Sequence, residues 1–363
     1  MSRPFRVFDA GLQDGRLNIA LDQAMLELHQ SGRIGDALRF IHFRPSALVG
    51  RHQSLSAELD LKYCAEHGIQ PGRRITGGGA IYLDPGQLGW ALVFDRRMLA
   101  GASLAEVAGR VCTAAAHGLS RLGIEVCFRP RNDLEVEGRK IGGTGGFFDG
   151  DTLLYQGTVL IELDSEAMLG ALRVPRAKIA RHGLDSAAQR VVSLRELLGA
   201  RAPAPAQVEQ ALLSGFQELL GIRFQPADAA DGEALLERGR ALHAAQIGRQ
   251  QFVAEIDGPP AGGQVSVGIC TGAGGTITTY LRREGPAGRR IGQVLITGDF
   301  FVAPPRLVFD LESRLRGIDV EALGETIEQF FLEHPAGTLS VGAGEFRRSI
   351  EAALRAAPTA VAY

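Results

Sequence analysis

Two stretches of this sequence combine residue types that could bind and activate an anion. The first is Arg73-Arg74-Ile75-Thr76-Gly77-Gly78-Gly79-Ala80-Ile81-Tyr82. Consecutive glycines free the backbone to adopt positive φ and let amide N–H groups face a ligand with no Cβ in the way. Arginine adds planar, permanently charged donors beside them. Taken alone, the same run also reads as a flexible turn. The second stretch is Arg129-Pro130-Arg131-Asn132-Asp133-Leu134-Glu135-Val136-Glu137-Gly138-Arg139-Lys140-Ile141-Gly142-Gly143-Thr144-Gly145-Gly146. Residues 134–136 read as a strand, Glu137-Gly138 as a tight turn and Lys140-Ile141 as a return strand that runs into a glycine-rich bend. An isolated exposed lysine is ordinarily just solvated. Flanked by glycines and by Arg129, Arg131 and Asn132, Lys140 becomes a point-charge donor suited to a carboxylate or phosphate.

The rest of the chain must position these groups. Apolar residues at helical spacing predict a helix from Asn18, with Asn18 as N-cap, and residues 38–43 and 47–50 read as strands. Arg51-His52-Gln53 then reads as a solvated loop, and a helix over 59–67 ends at Gly68. Asp84-Pro85-Gly86 between two apolar runs predicts a hairpin, which puts the glycine triplet at the mouth of a sheet. A helix over 105–122 and a strand over 125–128 lead to the lysine hairpin. A strand over 153–161 follows, with Gly157 where a ligand or another backbone could approach. Alternating Ala-Pro over 199–205 reads as a linker. Beyond it come helices over 207–220 and 232–244, strands over 265–269, 276–281 and 291–297, the Gly298-Asp299-Phe300-Phe301 run, and helices over 307–315, 320–332 and 344–354.

With 363 residues the chain can bury a full core and hold two domains, and a formal charge of -2 argues against a general polyanion binder. No DNA-binding motif occurs, so no nucleic-acid partner is expected. Cys64, Cys112, Cys127 and Cys270 are scattered without a CxxC pair, which suits a reducing compartment and reads as buried small hydrophobes. The opening residues lack an apolar core and no run of about eighteen apolar residues occurs, so neither a signal peptide nor a membrane span is expected. The cytoplasm is the expected location. Neither GxxxxGK[ST] nor GxGxxG is present, and the histidines do not show the HExxH spacing.

In order, spacing and residue type, RRITGGGAIY and RNDLEVEGRKIGGTG, followed by LLYQGTVLIELD and AKIARHGLDSAAQRVVSLREL, resemble the lipoate–protein ligase A family over residues 5–200. That family shares its catalytic fold with octanoyltransferases and biotin protein ligases. The resemblance implies an α/β (α+β) fold. It has a mixed-sheet catalytic domain of the biotin/lipoate-ligase kind over 1–245, with extra helices after 207. The strand, GDFF, helix and LESRLRG order further on resembles a small α+β accessory domain, placed at 246–355.

The activity implied is ATP-dependent conversion of lipoate to lipoyl-AMP and transfer of the lipoyl group to a lysine of a lipoyl domain. Partners would be the acyltransferase subunits of 2-oxoacid dehydrogenases and the glycine-cleavage H protein. ATP, Mg2+ and lipoate are the implied ligands. Matched to the motif, Lys140 would contact the acyl carbonyl and the α-phosphate. Arg74, Thr76, Gly77, Gly78, Gly79, Ala80 and Tyr82 would bind substrate or ATP, as would Gly142, Gly143, Thr144, Gly157 and Thr158. Asn132 and Asp133 would position the nucleotide, Asp133 being a possible metal contact. Lys178 lies in a loop that would close over the adenylate and exclude water. Leu17, Val49, Ala80 and Tyr82 are guesses for the acyl tunnel.

Two departures stand out. Tyr155-Gln156 occupies the place of the family's usual His-His, and Leu83 stands where a histidine often follows the triplet. Octanoyl or lipoyl transfer without ATP, biotinylation and a non-catalytic acyl- or nucleotide-binding regulator are therefore the competing readings. Transferases of this superfamily commonly use a cysteine nucleophile. Here no cysteine falls in the glycine-rich segments, and Cys127, the nearest, reads as buried in an apolar strand.

Overall fold

The computed structural model describes residues 4–130, 132–173, 190–258, 264–272, 274–334 and 340–360. In chain order, β1 (Phe5–Gln13), α1 (Gly15–Gln30), β2 (Ala37–Phe43), β3 (Ser46–Val49), β4 (Gln70–Arg73), β5 (Ile81–Leu83) and β6 (Gln87–Asp95) lead to α2 (Leu104–Ser120). Next come β7 (Cys127–Arg129), β8 (Asp133–Val136), β9 (Arg139–Asp149), β10 (Thr152–Leu160), α3 (Pro205–Leu220), β11 (Phe224–Pro226) and α4 (Ala229–Leu242). The last part holds β12 (Gln264–Gly272), β13 (Gly275–Glu284), β14 (Arg290–Gly298), α5 (Leu307–Leu315), α6 (Leu323–Glu333), α7 (Ala343–Arg355) and β15 (Thr359–Ala360).

The large sheet runs β11-β1-β2-β6-β10-β9-β8-β7, parallel across β11-β1-β2 and antiparallel beyond. A small sheet, β4-β3-β5, faces it, and β14-β13-β12-β15 forms a third. The fold is thus mixed α/β with a mixed sheet, as the sequence led us to expect.

Adjacent strand residues point to opposite faces, and Tyr155 and Gln156 show where the layers lie. Tyr155 reaches Cys112 of α2 on one face, and Gln156 reaches Asp22 of α1 on the other. On the α2 face, α2 and α3 cross closely because Gly118 and Gly215 carry no side chain. A Cβ on Gly118 would lie 2.1 Å from the Ala211 carbonyl oxygen, and one on Gly215 2.2 Å from that of Ala114. One apolar core fills both faces of the large sheet, and a second lies between β13, β14 and α5 to α7.

Several local expectations are corrected. Helix α1 begins three residues early, capped by Asp14, whose Oδ1 accepts from the Leu17 N–H at 2.9 Å. Asn18 is instead buried in the helix and donates to the His42 carbonyl. The Asp84-Pro85-Gly86 turn closes no hairpin, because β5 pairs with β3 in the small sheet while β6 pairs with β2 and β10. The turn hands the chain from one sheet to the other. Gly199–Arg201 forms a 3-10 turn, and Pro205 opens α3, where a missing N–H costs nothing. His52 is buried and stacks on Phe300, ring centroids 5.3 Å apart, so 51–53 is no solvated loop. Cys127 is exposed and Cys270 half-buried, against the expectation of four buried thiols, while Cys64 and Cys112 are buried.

Candidate functional site

A cavity of about 310 Å3 opens between the large sheet, the small sheet and α1. Its floor follows from strand register. Arg39, Ala91, Gln156 and Gly145 lie in one row across β2, β6, β10 and β9, and Ile41, Gly89 and Thr158 in a neighbouring row. Glycine and alanine at the middle of these rows leave a trough where larger side chains would fill the space. Ile19 of α1, with Leu48, Ala80 and Tyr82 of the facing side, lines it as well.

Lys140 stands on β9, its backbone N–H donating to the Arg190 carbonyl and its carbonyl accepting from Val192. Its Nζ lies 2.6 Å from Asp133 Oδ1 on the neighbouring strand β8. The side chain runs over Gly143, where a Cβ would come within 2.8 Å of Nζ. Asn132 is tied to Thr144 by its Nδ2, which donates to the Thr144 carbonyl at 2.9 Å. Thr144 Oγ1 in turn bonds Tyr155 Oη at 2.8 Å and Cys112 Sγ at 3.2 Å. This chain of contacts anchors the lysine strand to α2.

Arg74 is buried and donates to the carbonyls of Leu48, Gly77 and Gly79. Burial lowers its pKa to about 10, so it remains charged at neutral pH. Its guanidinium fixes the shape of the glycine loop as well as lining the cavity. Arg73, also buried, donates to carbonyls of residues 50–53 and 252–256, tying the small sheet to the chain beyond α4. Gly78 has φ +91°, and its N–H donates to the Phe300 carbonyl at 3.0 Å. The N–H groups of Gly77 and Gly79 have no partner among the described residues.

The second glycine run is not a bend. Residues 142–146 are part of β9, paired with β8 and β10, so their amides belong largely to the ladder. Their missing side chains supply room instead. A Cβ on Gly142 would lie 2.2 Å from the Thr158 carbonyl oxygen, and one on Gly145 2.2 Å from the Phe301 ring. Gly157 likewise makes room for the Trp90 indole, which approaches where a ligand was expected.

Of the residues singled out from the sequence, Lys140, Arg74, Thr76, Gly77, Gly79, Ala80 and Tyr82 line this cavity, as do Asn132, Gly142, Gly143, Thr144, Gly157 and Thr158. Gly78 and Asp133 sit behind the wall, and Lys178 lies outside the described residues. Leu17 and Val49 pack into cores away from the lining, and Leu48 takes Val49's expected place. Tyr155 faces α2, so only the Gln156 half of the Tyr155-Gln156 departure borders the cavity. Sequence reasoning missed Asp22 and Phe301 as wall residues. Phe301 belongs to the GDFF run, which had signalled a second domain and nothing about the pocket.

With the trough, the lysine and the triplet in place, the comparison with known proteins is specific. The family model of the lipoyl protein ligase A/B catalytic domain matches residues 14–217. The chain belongs to this family. Its curated relatives include both enzyme types that the family holds. A probable lipoate-protein ligase A of Mycoplasma genitalium is 30% identical over 181 residues, covering 50% of this chain and 53% of that protein. The octanoyltransferase LipM of Moorella thermoacetica is 27% identical over 264 residues, covering 66% of this chain and 96% of that one. This chain therefore spans about half the length of the Mycoplasma ligase it matches. Among solved structures, P. falciparum LipL1 in complex with lipoate superposes with a TM-score of 0.69 at 19% identity, covering 91% of this chain and 95% of that one. That likeness concerns the fold, and it extends into the part after α4.

Proposed function

We propose that this chain is an ATP-dependent lipoate–protein ligase. The observation that carries the reading is the Lys140 ammonium, held by Asp133 beside a largely apolar trough whose lining contains no cysteine. A carboxylate is a poor electrophile, so it needs a leaving group before an amine can attack it. Its oxygen displaces pyrophosphate from the α-phosphorus of ATP, giving acyl-AMP. The amine of a lipoyl-domain lysine then attacks the acyl carbonyl, AMP departs and an amide remains. Both steps develop negative charge that a fixed ammonium stabilises where water is excluded. The unpartnered N–H groups of Gly77 and Gly79 are further donors for phosphate oxygens.

In this reading residues 1–245 form the catalytic domain and 246–355 the accessory domain, which reaches the site through Phe300 and Phe301. Asn132 holds nucleotide or phosphate, and Lys178 contacts the adenylate. Among the described residues no group of His, Cys, Asp and Glu could hold a metal by itself. Mg2+ would therefore enter with the ATP phosphates and would neutralise their charge, Asp133 being engaged with Lys140. The acceptors would be lipoyl domains of 2-oxoacid dehydrogenase acyltransferase subunits and the glycine-cleavage H protein, in the cytoplasm. No helix among the described residues is long and apolar enough to cross a membrane.

A second reading, octanoyl transfer without ATP, is favoured by the near-complete coverage of LipM. Against it, Cys112, the thiol nearest the floor, lies on the α2 face, bonded to Thr144 and Tyr155, and burial raises its pKa. Such a thiol is a poor nucleophile. Lipoate-dependent exchange of pyrophosphate into ATP separates the two. The wild type should exchange, and Lys140→Ala should lose on the order of 10²–10³ in rate. Absence of exchange in the wild type with lipoate or octanoate would overturn the ligase reading.

A further inference from the structure

Beyond the end bordered by Lys140, Asn132, Thr144 and Thr158 and the facing loop with Arg74 and Thr76, the lining of the trough is largely apolar. Gln156 of β10 stands in its floor between Ala91 and Gly145, two residues too small to cover it. Above it, α1 contributes Asp22, which is buried, lines the cavity and pairs with the fully buried Arg39. We propose that this cavity selects a carboxylic acid whose chain bears a hydrogen-bond donor, a hydroxyl or an N–H, in the half remote from the carboxylate. The inference deepens the acyl-activating reading above and rests on it for which end of the acid faces Lys140.

The direction of the preference follows from the hydrogen bonds. Arg39 is permanently charged and is also bonded by Asn18, and among the described residues Asp22 is its ion-pair partner. Burial raises the Asp22 pKa, and the Arg39 ion pair opposes that rise. Because a buried guanidinium without its anion is strongly destabilising, we take Asp22 as the carboxylate, which only accepts. Gln156 must therefore turn its Nε2 to Asp22, which is the contact observed. The amide orientation, normally ambiguous, is thereby settled. Gln156 Oε1 is left without a partner among the described residues, on the wall of the cavity. An acceptor facing an alkyl chain stays unsatisfied, whereas one facing O–H or N–H is paired. Register also sets the depth. Lys140 Nζ lies over Gly143, and Gln156 lies opposite Gly145, two residues further along β9, on the order of 7 Å at about 3.3 Å per residue. That distance places it against the far half of a medium-length chain and away from the carboxylate.

Equilibrium binding of octanoate, 6-hydroxyoctanoate and 8-hydroxyoctanoate to the full chain, measured by calorimetry, tests this without requiring catalysis. At least one hydroxy acid should bind about tenfold more tightly than octanoate. Gln156→Leu should abolish that preference, octanoate and the hydroxy acids then binding alike. Gln156→Met, which retains the length of the side chain, serves if the leucine variant does not fold. Equal binding of all three acids to the wild type, or an unchanged preference in the Gln156 variant, would overturn the inference. Hydroxy-acid preference without any pyrophosphate exchange would support the inference and count against the ligase reading alone.

Discussion

In the loop between β4 and β5, Gly78 holds φ +91° and its neighbours present unpartnered N–H groups. In β9, Gly142, Gly143, Gly145 and Gly146 sit in a paired strand and act through the volume they leave empty. Both runs meet the same ring, because a Cβ at Gly78 would lie 2.6 Å from Phe301 and one at Gly145 2.2 Å from it. The first run uses glycine for its dihedral freedom and the second for its lack of a side chain. This difference teaches that a glycine-rich segment beside a cation is not by itself an anion nest. Whether its amides are free depends on partners elsewhere in the chain, here β8 and β10.

Alanine substitutions separate the two uses, and the largest effect belongs to the strand. Gly142→Ala forces β9 away from the Thr158 carbonyl, a backbone atom that cannot rotate aside. A loss of about 3 kcal/mol in unfolding free energy by denaturant titration is expected. One residue on, Gly143→Ala meets only the end of the flexible Lys140 side chain. Its stability should change by less than about 0.5 kcal/mol, while pyrophosphate exchange falls about tenfold as Nζ is displaced. If both variants lost stability equally, the run would be rigid backbone throughout and the room given to Lys140 would be incidental. In the loop, Gly78→Ala combines a left-handed dihedral with the Phe301 contact, and about 2 kcal/mol is expected. A neutral result there would mean that the loop does not need its positive φ.

The sequence made the lysine hairpin legible, since Glu137-Gly138 forms the expected tight turn, with φ of 52° and 76°, between β8 and β9. Apolar runs and turn residues also located most strands and long helices. What stayed hidden was pairing at long range. Nothing local distinguishes β5 and β6 as members of different sheets, because Asp-Pro-Gly serves a sheet-to-sheet turn as readily as a hairpin. The strand nature of 142–146 was masked by the low strand propensity of glycine, which pairing on both sides overrides. For the site, residue types near the motifs were readable, but Asp22 and Phe301 come from distant segments, and only the folded chain brings them to the wall. Alternation along β10 does separate Tyr155 from Gln156, although choosing which of them faces the cavity required knowing where α1 and α2 pack.

The mildest test concerns how the triplet is held by the segment that follows β14. Phe300, whose carbonyl accepts from Gly78, is stacked on His52, and the His52 carbonyl accepts from the Gly298 N–H. Burial, reinforced by Arg51 and Arg73, lowers the His52 pKa to about 3 from an ordinary 6.5. A depressed folded-state value means that the unfolded chain takes up the proton first. The stability contributed by neutral His52 is therefore fully present above pH 6.5 and is lost as pH falls from there toward 3. At pH 5.5, about one unit below the unfolded value, the loss amounts to roughly 1 kcal/mol. His52→Phe keeps the ring stack and removes the titrating group, whose Nδ1 is buried without a hydrogen-bond partner. Thermal unfolding of wild type and His52→Phe at pH 7.5 and 5.5 should show the gap between the two conditions shrinking in the variant. Because the strand run makes no such contact with His52, a Gly142→Ala background should leave that pH-dependent difference intact. If the strand variant removed it as well, the two glycine runs would be mechanically coupled through Phe301, and the division between dihedral freedom and empty volume would give way to one shared hinge.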